Sequence, residues 1–253
     1  MNNTQLHHFK EKLHSSTCMG IFSKTTDSAL VEAAGLAGLD FIILDTEHGS
    51  ANSETLHHHV RAASLTPMLP IIRVKAVDAH SIGSALDTGA AGVQIPNISN
   101  AEQAQAAVNA ARFYPQGNRG VCRFVRAAQF GQQEKNEYFQ TANEKLIILQ
   151  IEGLEGIQNL DSILEIKDFD ILFIGPYDLS QSVGKTGQID APEVLNLMGD
   201  IARKAQAKGI LLGTFSDSLI NNNTLRQQGF NYIAYSVDIA LFASACTQIM
   251  KGY

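Results

Sequence analysis

The stretch EKLIILQIEGLEG (144–156) runs four apolar residues, Leu146 to Leu149, into Gln150 and, one isoleucine later, Glu152. A strand this apolar is buried, and a carboxylate at its end is costly unless something there uses it. Gln150 and Glu152, two apart, face one side of an extended strand, and Ile151 faces the other. A second carboxylate, Asp178, follows the next strand-like run in FIGPYDLS (173–180). Two bare carboxylates on adjacent strands repel and raise a pKa, and a cation between them removes the conflict. Two acids with open positions suit Mg²⁺ or Mn²⁺, which keep waters and accept substrate oxygens as further ligands. An ordinary ion pair, Glu152 with Arg73, is the competing arrangement.

Three other residues have the chemistry of a proton-transfer site. His48 lies in LDTEHG (44–49), where Asp45 ends the same strand and is placed to orient the ring. A histidine held by an acid is the usual general base; a solvated loop histidine is the plain alternative. Arg73 closes the apolar run LPIIRV (69–74), and its guanidinium matches a planar carboxylate or an enolate. Lys24, after the first strand, is the candidate for a Schiff base, though nothing nearby in sequence lowers its pKa. His57, His58 and His59 are consecutive in a helical segment, do not share a face, and so make a poor metal site.

These residues need a frame. Apolar strand-like runs lie at 18–23, 40–45, 69–74, 92–97, 146–151, 170–175, 209–214 and 231–236. Each reads as a strand covered on both faces, as in a parallel sheet. Helical segments separate them at 27–38, 53–65, 78–88, 100–112 and 192–208. Eight such alternations in 253 residues predict a single (β/α)8 barrel domain over residues 1–253. A doubly wound sheet would carry a Gly-rich turn after its first strand, and SKTTDS is no such turn. In a barrel the C-terminal strand ends converge, and there stand Asp45, His48, Arg73, Gln94, Asn97, Gln150, Glu152 and the run Gly175-Pro176-Tyr177-Asp178. Ser216, Ser236 and Asp238 end the last two strands, while the N-terminal ends look plain. The long connection 113–140 breaks the rhythm and carries Arg119, Arg123 and Arg126.

Composition narrows the partners. A formal charge of −6 offers no footprint for nucleic acid or an anionic membrane, and no apolar run is long enough to span a bilayer. The lead-in MNNTQLHHFKEKLHSS is polar, without the apolar core of a signal peptide. Cys18, Cys122 and Cys246 are odd in number and far apart, which fits a reducing cytoplasm.

The strings LDTEHG, IIRV, GVQIPN, FYPQGNRGV, LQIEGLEGIQNLD and FIGPYDLS, in that order over about residues 20 to 240, resemble the metal-dependent 2-oxo acid aldolases of the HpcH/HpaI type. These are the 4-hydroxy-2-oxoheptanedioate aldolase-like enzymes, grouped with the citrate lyase β-subunit. The resemblance implies a (β/α)8 barrel of the pyruvate-binding type, often with the last helix exchanged between subunits of a trimer or hexamer. It implies a class II aldolase that cleaves a 4-hydroxy-2-oxo acid to pyruvate and an aldehyde through a metal-stabilised enolate, with no organic cofactor. Carried over by motif, Glu152 and Asp178 are the metal ligands, for Mg²⁺ or Mn²⁺ with Co²⁺ a third candidate. Gln150 and the backbone around Gly175, Pro176, Tyr177 and Asp178 hold pyruvate. His48 is the base, Arg73 steadies the enolate, and Asp87 of ALDTGA (85–90) raises the basicity of a histidine. Because Asp87 follows a helix, it would act only across a subunit contact.

The chain departs from that pattern at Tyr177, where a small residue is usual, and in RGVCRFVRAAQFG, whose arginines predict an anionic second substrate. Two alternatives stand beside the aldolase: condensation of oxaloacetate with acetyl-CoA, as in a siderophore citrate synthase, and a small-molecule binding barrel without catalysis.

Overall fold

The computed structural model describes residues 3–252. Eight parallel strands close in sequence order: β1 (Cys18–Ser23), β2 (Phe41–Asp45), β3 (Leu69–Arg73), β4 (Gly92–Ile95), β5 (Leu146–Ile151), β6 (Ile171–Ile174), β7 (Leu211–Ser216) and β8 (Phe230–Val237). Helix α1 (Asn3–Ser15) precedes the barrel, and α2 (Ser28–Leu36), α3 (Ser53–Ala63), α4 (Ala79–Asp87) and α5 (Ala101–Ala111) follow β1 to β4. The long connection holds a 3₁₀ turn at Arg126–Gly131 and α6 (Lys135–Ala142). Short helices α7 (Leu154–Gln158) and α8 (Leu160–Ile163) follow β5. Helices α9 (Pro176–Ser182), α10 (Pro192–Ala207), α11 (Leu219–Gln227) and α12 (Asp238–Lys251) complete the ring. The predicted barrel is the observed one, with β1 and β5 as expected and the ends of the other strands moved by at most two residues.

Local chemistry explains where the crossover helices begin. Asp27, Asn52, Asp78 and Asn100 each accept a hydrogen bond from a backbone N–H two or three residues on, satisfying a donor that the first turn leaves free. Along each strand the side chains alternate. Ile42, Leu44, Ile147 and Leu149 turn outward to the helices, whereas Phe41, Ile43, Leu146 and Ile148 fill the barrel. Gly20 leaves room inside for the Phe41 ring, since a Cβ there would lie 2.4 Å from it.

Helix α1 falls on a segment expected to be only a polar lead-in. Leu6, Phe9 and Leu13 form a buried stripe that packs into the interior cluster, with Phe9 edge-on to Phe41 and Tyr232. The interior is therefore apolar from that plug up to the last layer of inward residues. That layer is polar: register places Asp45 beside Arg73 and Arg73 beside Gln94.

Candidate active site

At the C-terminal ends of the strands a cleft of about 520 Å³ opens, bounded by Lys24, His48, Arg73, Glu152, Tyr177 and Asp217 among others. On its β5–β6 side the carboxylate of Glu152 is buried, at 4% exposure. Its two oxygens are held apart in function: Oε1 accepts the Asn97 backbone N–H at 2.9 Å and Oε2 accepts Gln150 Nε2. Gln150 in turn accepts from Gln94 Nε2, so an amide relay fixes the acid. Asn97 adopts a left-handed conformation (φ 57°) that aims its N–H at Glu152, while its Nδ2 donates to Glu47 at 3.1 Å. Burial first, then the charges of Asp178 and Glu47, push the Glu152 carboxyl up to about 7 against the hydrogen bonds it receives. Gly175 lies against this acid, and a Cβ there would come 2.7 Å from Oε2. Asp178 sits exposed in the first turn of α9, close enough that its charge is felt by both Glu152 and Glu47.

Opposite stands the arginine. Arg73 donates from Nε and Nη2 to the two oxygens of Asp45, each at 2.9 Å, and its Nη1 lies 2.9 Å from Glu47 Oε2. Its guanidinium also lies over the Phe22 ring, 4.8 Å from the centroid. Burial pushes the Asp45 carboxyl up, but the Arg73 bonds and charge, helped by the His48 N–H and Lys24, hold it below its usual value. Glu47 is pushed up, by burial and by Asp45 and Asp178, despite Arg73.

Several expectations change. Asp45 does not orient the His48 ring; it accepts the backbone N–H groups of Glu47 and His48 and is otherwise taken by Arg73. The cause is strand parity, which points Asp45 into the barrel toward β3 rather than along its own loop. Among the described residues the exposed His48 ring makes no hydrogen bond, and it borders the cleft. The alternative Glu152–Arg73 ion pair does not form, because Arg73 is already paired with Asp45 and Glu47.

The three arginines of the long connection do not face this cleft. Arg119 pairs with Asp87 at 2.5 Å, Arg123 donates to the Gly131 and Gln133 carbonyls, and Arg126 donates to the Thr88 carbonyl. With Lys145, Arg119 and Arg126 border a cavity of about 630 Å³ beside the N-terminal ends of β4 and β5, so that face is less plain than its sequence suggested. Asp87 ends α4 at that same far end, away from His48.

Gln150, Gly175, Pro176, Tyr177 and Asp178 all border the cleft with Glu152. Lys24, from sequence only a Schiff-base candidate, and Asp217 also border it, while Glu47 and Asn97, given no role from sequence, contact its Arg73 and Glu152. His59 is buried with Nε2 3.0 Å from the Thr25 carbonyl, a structural contact. Among the described residues no three His, Cys, Asp or Glu side chains cluster as a ready metal site. Of the acids bordering the cleft, Glu152 and Asp178 are the pair whose charges act on one another.

A family profile described as HpcH/HpaI aldolase/citrate lyase matches residues 18–245. Over 93% of its length the chain is 32% identical to a 2-dehydro-3,6-dideoxy-6-sulfogluconate aldolase of Pseudomonas putida, covering 92% of that protein. A 2-keto-3-deoxy-L-rhamnonate aldolase of Klebsiella pneumoniae is 33% identical over 92% of this chain and 87% of its own. Among solved structures, an HpcH/HpaI aldolase/citrate lyase family protein from Burkholderia cenocepacia superposes with a TM-score of 0.91 at 29% identity, covering 97% of this chain and 98% of that one.

Proposed function

The chain belongs to the HpcH/HpaI aldolase/citrate lyase family and is a carbon–carbon lyase of the aldolase type; from that premise we propose that the cleft reversibly cleaves a 4-hydroxy-2-oxo acid into pyruvate and an aldehyde. The observation that carries this is the pairing, across one cleft, of buried Glu152 and exposed Asp178 with a fixed arginine and with His48, whose ring makes no hydrogen bond among the described residues. The substrate names of both relatives describe 2-oxo-3-deoxy acids, the head group such a cleavage needs.

The residues fit a hard divalent cation. Glu152 is buried beside a second acid and holds its proton to about 7, a conflict that a cation relieves. Glu152 and Asp178 would hold Mg²⁺, Mn²⁺ or Co²⁺, whose remaining positions stay open to water and substrate oxygens. When bound, the cation supplies Lewis-acid polarisation of the 2-oxo acid. Arg73, immobilised by Asp45 and Glu47, directs positive charge at the oxygen that becomes enolate. Gln150 and the backbone at Gly175 to Asp178 orient the acid. His48 takes the proton from the C4 hydroxyl, directly or through a water. The C3–C4 bond then breaks, its electron pair passes into the enolate, the aldehyde leaves, and C3 is protonated to give pyruvate.

Asp87 is assigned to a neighbouring subunit's site in this reading, since it lies at the far end of its own barrel. The apolar face of α12, with Ile239, Phe242, Ile249 and Met250 exposed, supports exchange of that helix within a trimer or hexamer. No helix among the described residues is long and apolar enough to cross a membrane. The three thiols are free, in keeping with a cytoplasmic setting. Condensation with acetyl-CoA stays the alternative, although the arginines that suggested it from sequence lie outside this cleft, bonded to Gly131, Thr88 and Asp87.

The test is exchange of the pyruvate methyl protons in deuterated water. Addition of Mg²⁺ or Mn²⁺ should give loss of the methyl NMR signal, and EDTA should stop it; no exchange with Mg²⁺, Mn²⁺ or Co²⁺ would sink the reading. Gly175→Ala supplies a second check. A methyl placed 2.7 Å from Glu152 Oε2 must displace that carboxylate. Exchange should slow on the order of tenfold or more, since small misplacements are costly at a reacting centre. A variant with wild-type exchange would mean that the position of Glu152 is immaterial.

A further inference from the structure

We propose that Lys24 recognises an anionic group on the second substrate, so that the aldehyde released or taken up carries a carboxylate or sulfonate; this rests on the aldolase reading above. Lys24 stands at the end of β1, next to the β2 end that carries His48, and borders the cleft. Its backbone is fixed by Asp238 of α12. That carboxylate accepts Ser23 Oγ at 2.7 Å and the N–H groups of Lys24, Thr25 and Ile239. Thr25 is tied further by His59. The lysine therefore projects from a clamped strand end rather than from a loose loop.

Its ammonium is held by charge but not used up. The Asp45 carboxylate is 3.7 Å away, longer than a hydrogen bond, and both its oxygens already accept from Arg73. Among the described residues nothing accepts from the Lys24 ammonium, which has three donors to give. The other cation of the cleft, Arg73, is bound on both sides by Asp45 and Glu47. Phe22, Phe215, Val237 and Ala240 make the neighbouring wall apolar. Across the cleft the Tyr177 hydroxyl donates to Asp217 at 2.7 Å. That bond, then burial, push the phenol up to about 12, so it stays neutral and offers no competing charge. A substrate whose aldehyde carbon meets His48 extends along this wall, and an acidic terminus finds Lys24.

The experiment compares wild type, Lys24→Met and Lys24→Arg, loaded with Mn²⁺, in aldol addition of pyruvate to glyoxylate, succinic semialdehyde, glycolaldehyde and propionaldehyde. The quantity read is the ratio of kcat/KM for anionic over neutral aldehydes. It should favour the anions in wild type and fall about 10- to 100-fold in Lys24→Met, chiefly through KM, as for loss of one partner of a desolvated charge pair. Lys24→Arg should recover most of it. A ratio equal within twofold in wild type and Lys24→Met overturns the inference, and so does a wild type that prefers neutral aldehydes. Borohydride trapping of pyruvate on Lys24 would overturn it as well, making the lysine a Schiff-base residue. Methyl-proton exchange in the wild type is measured in the same buffer: its absence fails the aldolase reading, whereas exchange with an unchanged ratio fails only the role of Lys24.

Discussion

Replacing Glu152 with Gln should abolish methyl-proton exchange and, with metal removed, make the protein more stable at pH 8. The two effects share a cause. The carboxyl ionises near 4.5 in an exposed chain and at about 7 in the fold, because burial and the charges of Asp178 and Glu47 oppose its ionisation. Between those values the folded state binds more protons than the unfolded one, so stability falls as pH rises from about 4.5 through 7. At about 1.4 kcal/mol per pH unit, the loss is about 3 kcal/mol by pH 8. Glutamine keeps the volume and accepts from Asn97, but its amide faces the Gln150 amide, which returns about 1 kcal/mol of the gain. In EDTA at pH 8 the variant should therefore melt roughly 4–8 °C above wild type, a gap that closes by pH 5. Mn²⁺ should raise the wild-type Tm at pH 8 and leave the variant unmoved. A variant less stable than wild type under EDTA at pH 8 would mean that the acid carries no burden for a cation to relieve.

The strand that delivers Glu152 was legible because its apolar run and polar end state both burial and exit from the barrel, and parity puts Gln150 and Glu152 on one side. Alternation of strands and caps specified the barrel for similar reasons. What was not legible depends on partners remote in sequence. Asp45 sits three residues from His48, yet the register of β2 on β3 places it against Arg73. The arginines of the long connection follow a cleft-like motif, but the chain carries them to the other end of the barrel before β5 begins. Helix α1 had its stripe of Leu6, Phe9 and Leu13, a readable signal among polar residues; its counterpart, the open lower end of the barrel, exists only once eight strands close. Asn97 matters through a left-handed backbone and an N–H, neither of which a residue type specifies.

Arg73→Met should lose both activity and stability, and a second substitution should separate the two. The guanidinium is the partner of Asp45, which is fully buried, and of Glu47, which burial already pushes up. Removing it strands a charge in the barrel's last layer, at a cost on the order of 3–5 kcal/mol for a broken buried pair. Adding Asp45→Asn to Arg73→Met removes that stranded charge, since an amide in the same place still accepts the Glu47 and His48 N–H groups. The double variant should thus recover most of the stability, read as the urea midpoint. Activity should not return. The arginine's second task is to present charge to the developing enolate, and a lost fixed donor of this kind costs about 10²–10³ in kcat. Asp45→Asn alone should behave differently again: Arg73 keeps Glu47 and Phe22, so the fold should hold, while the guanidinium is freer to drift and kcat should fall less than in either Arg73 variant. If the double variant regained activity along with stability, Arg73 would be only a structural counter-ion. The enolate would then be steadied by other groups of the cleft.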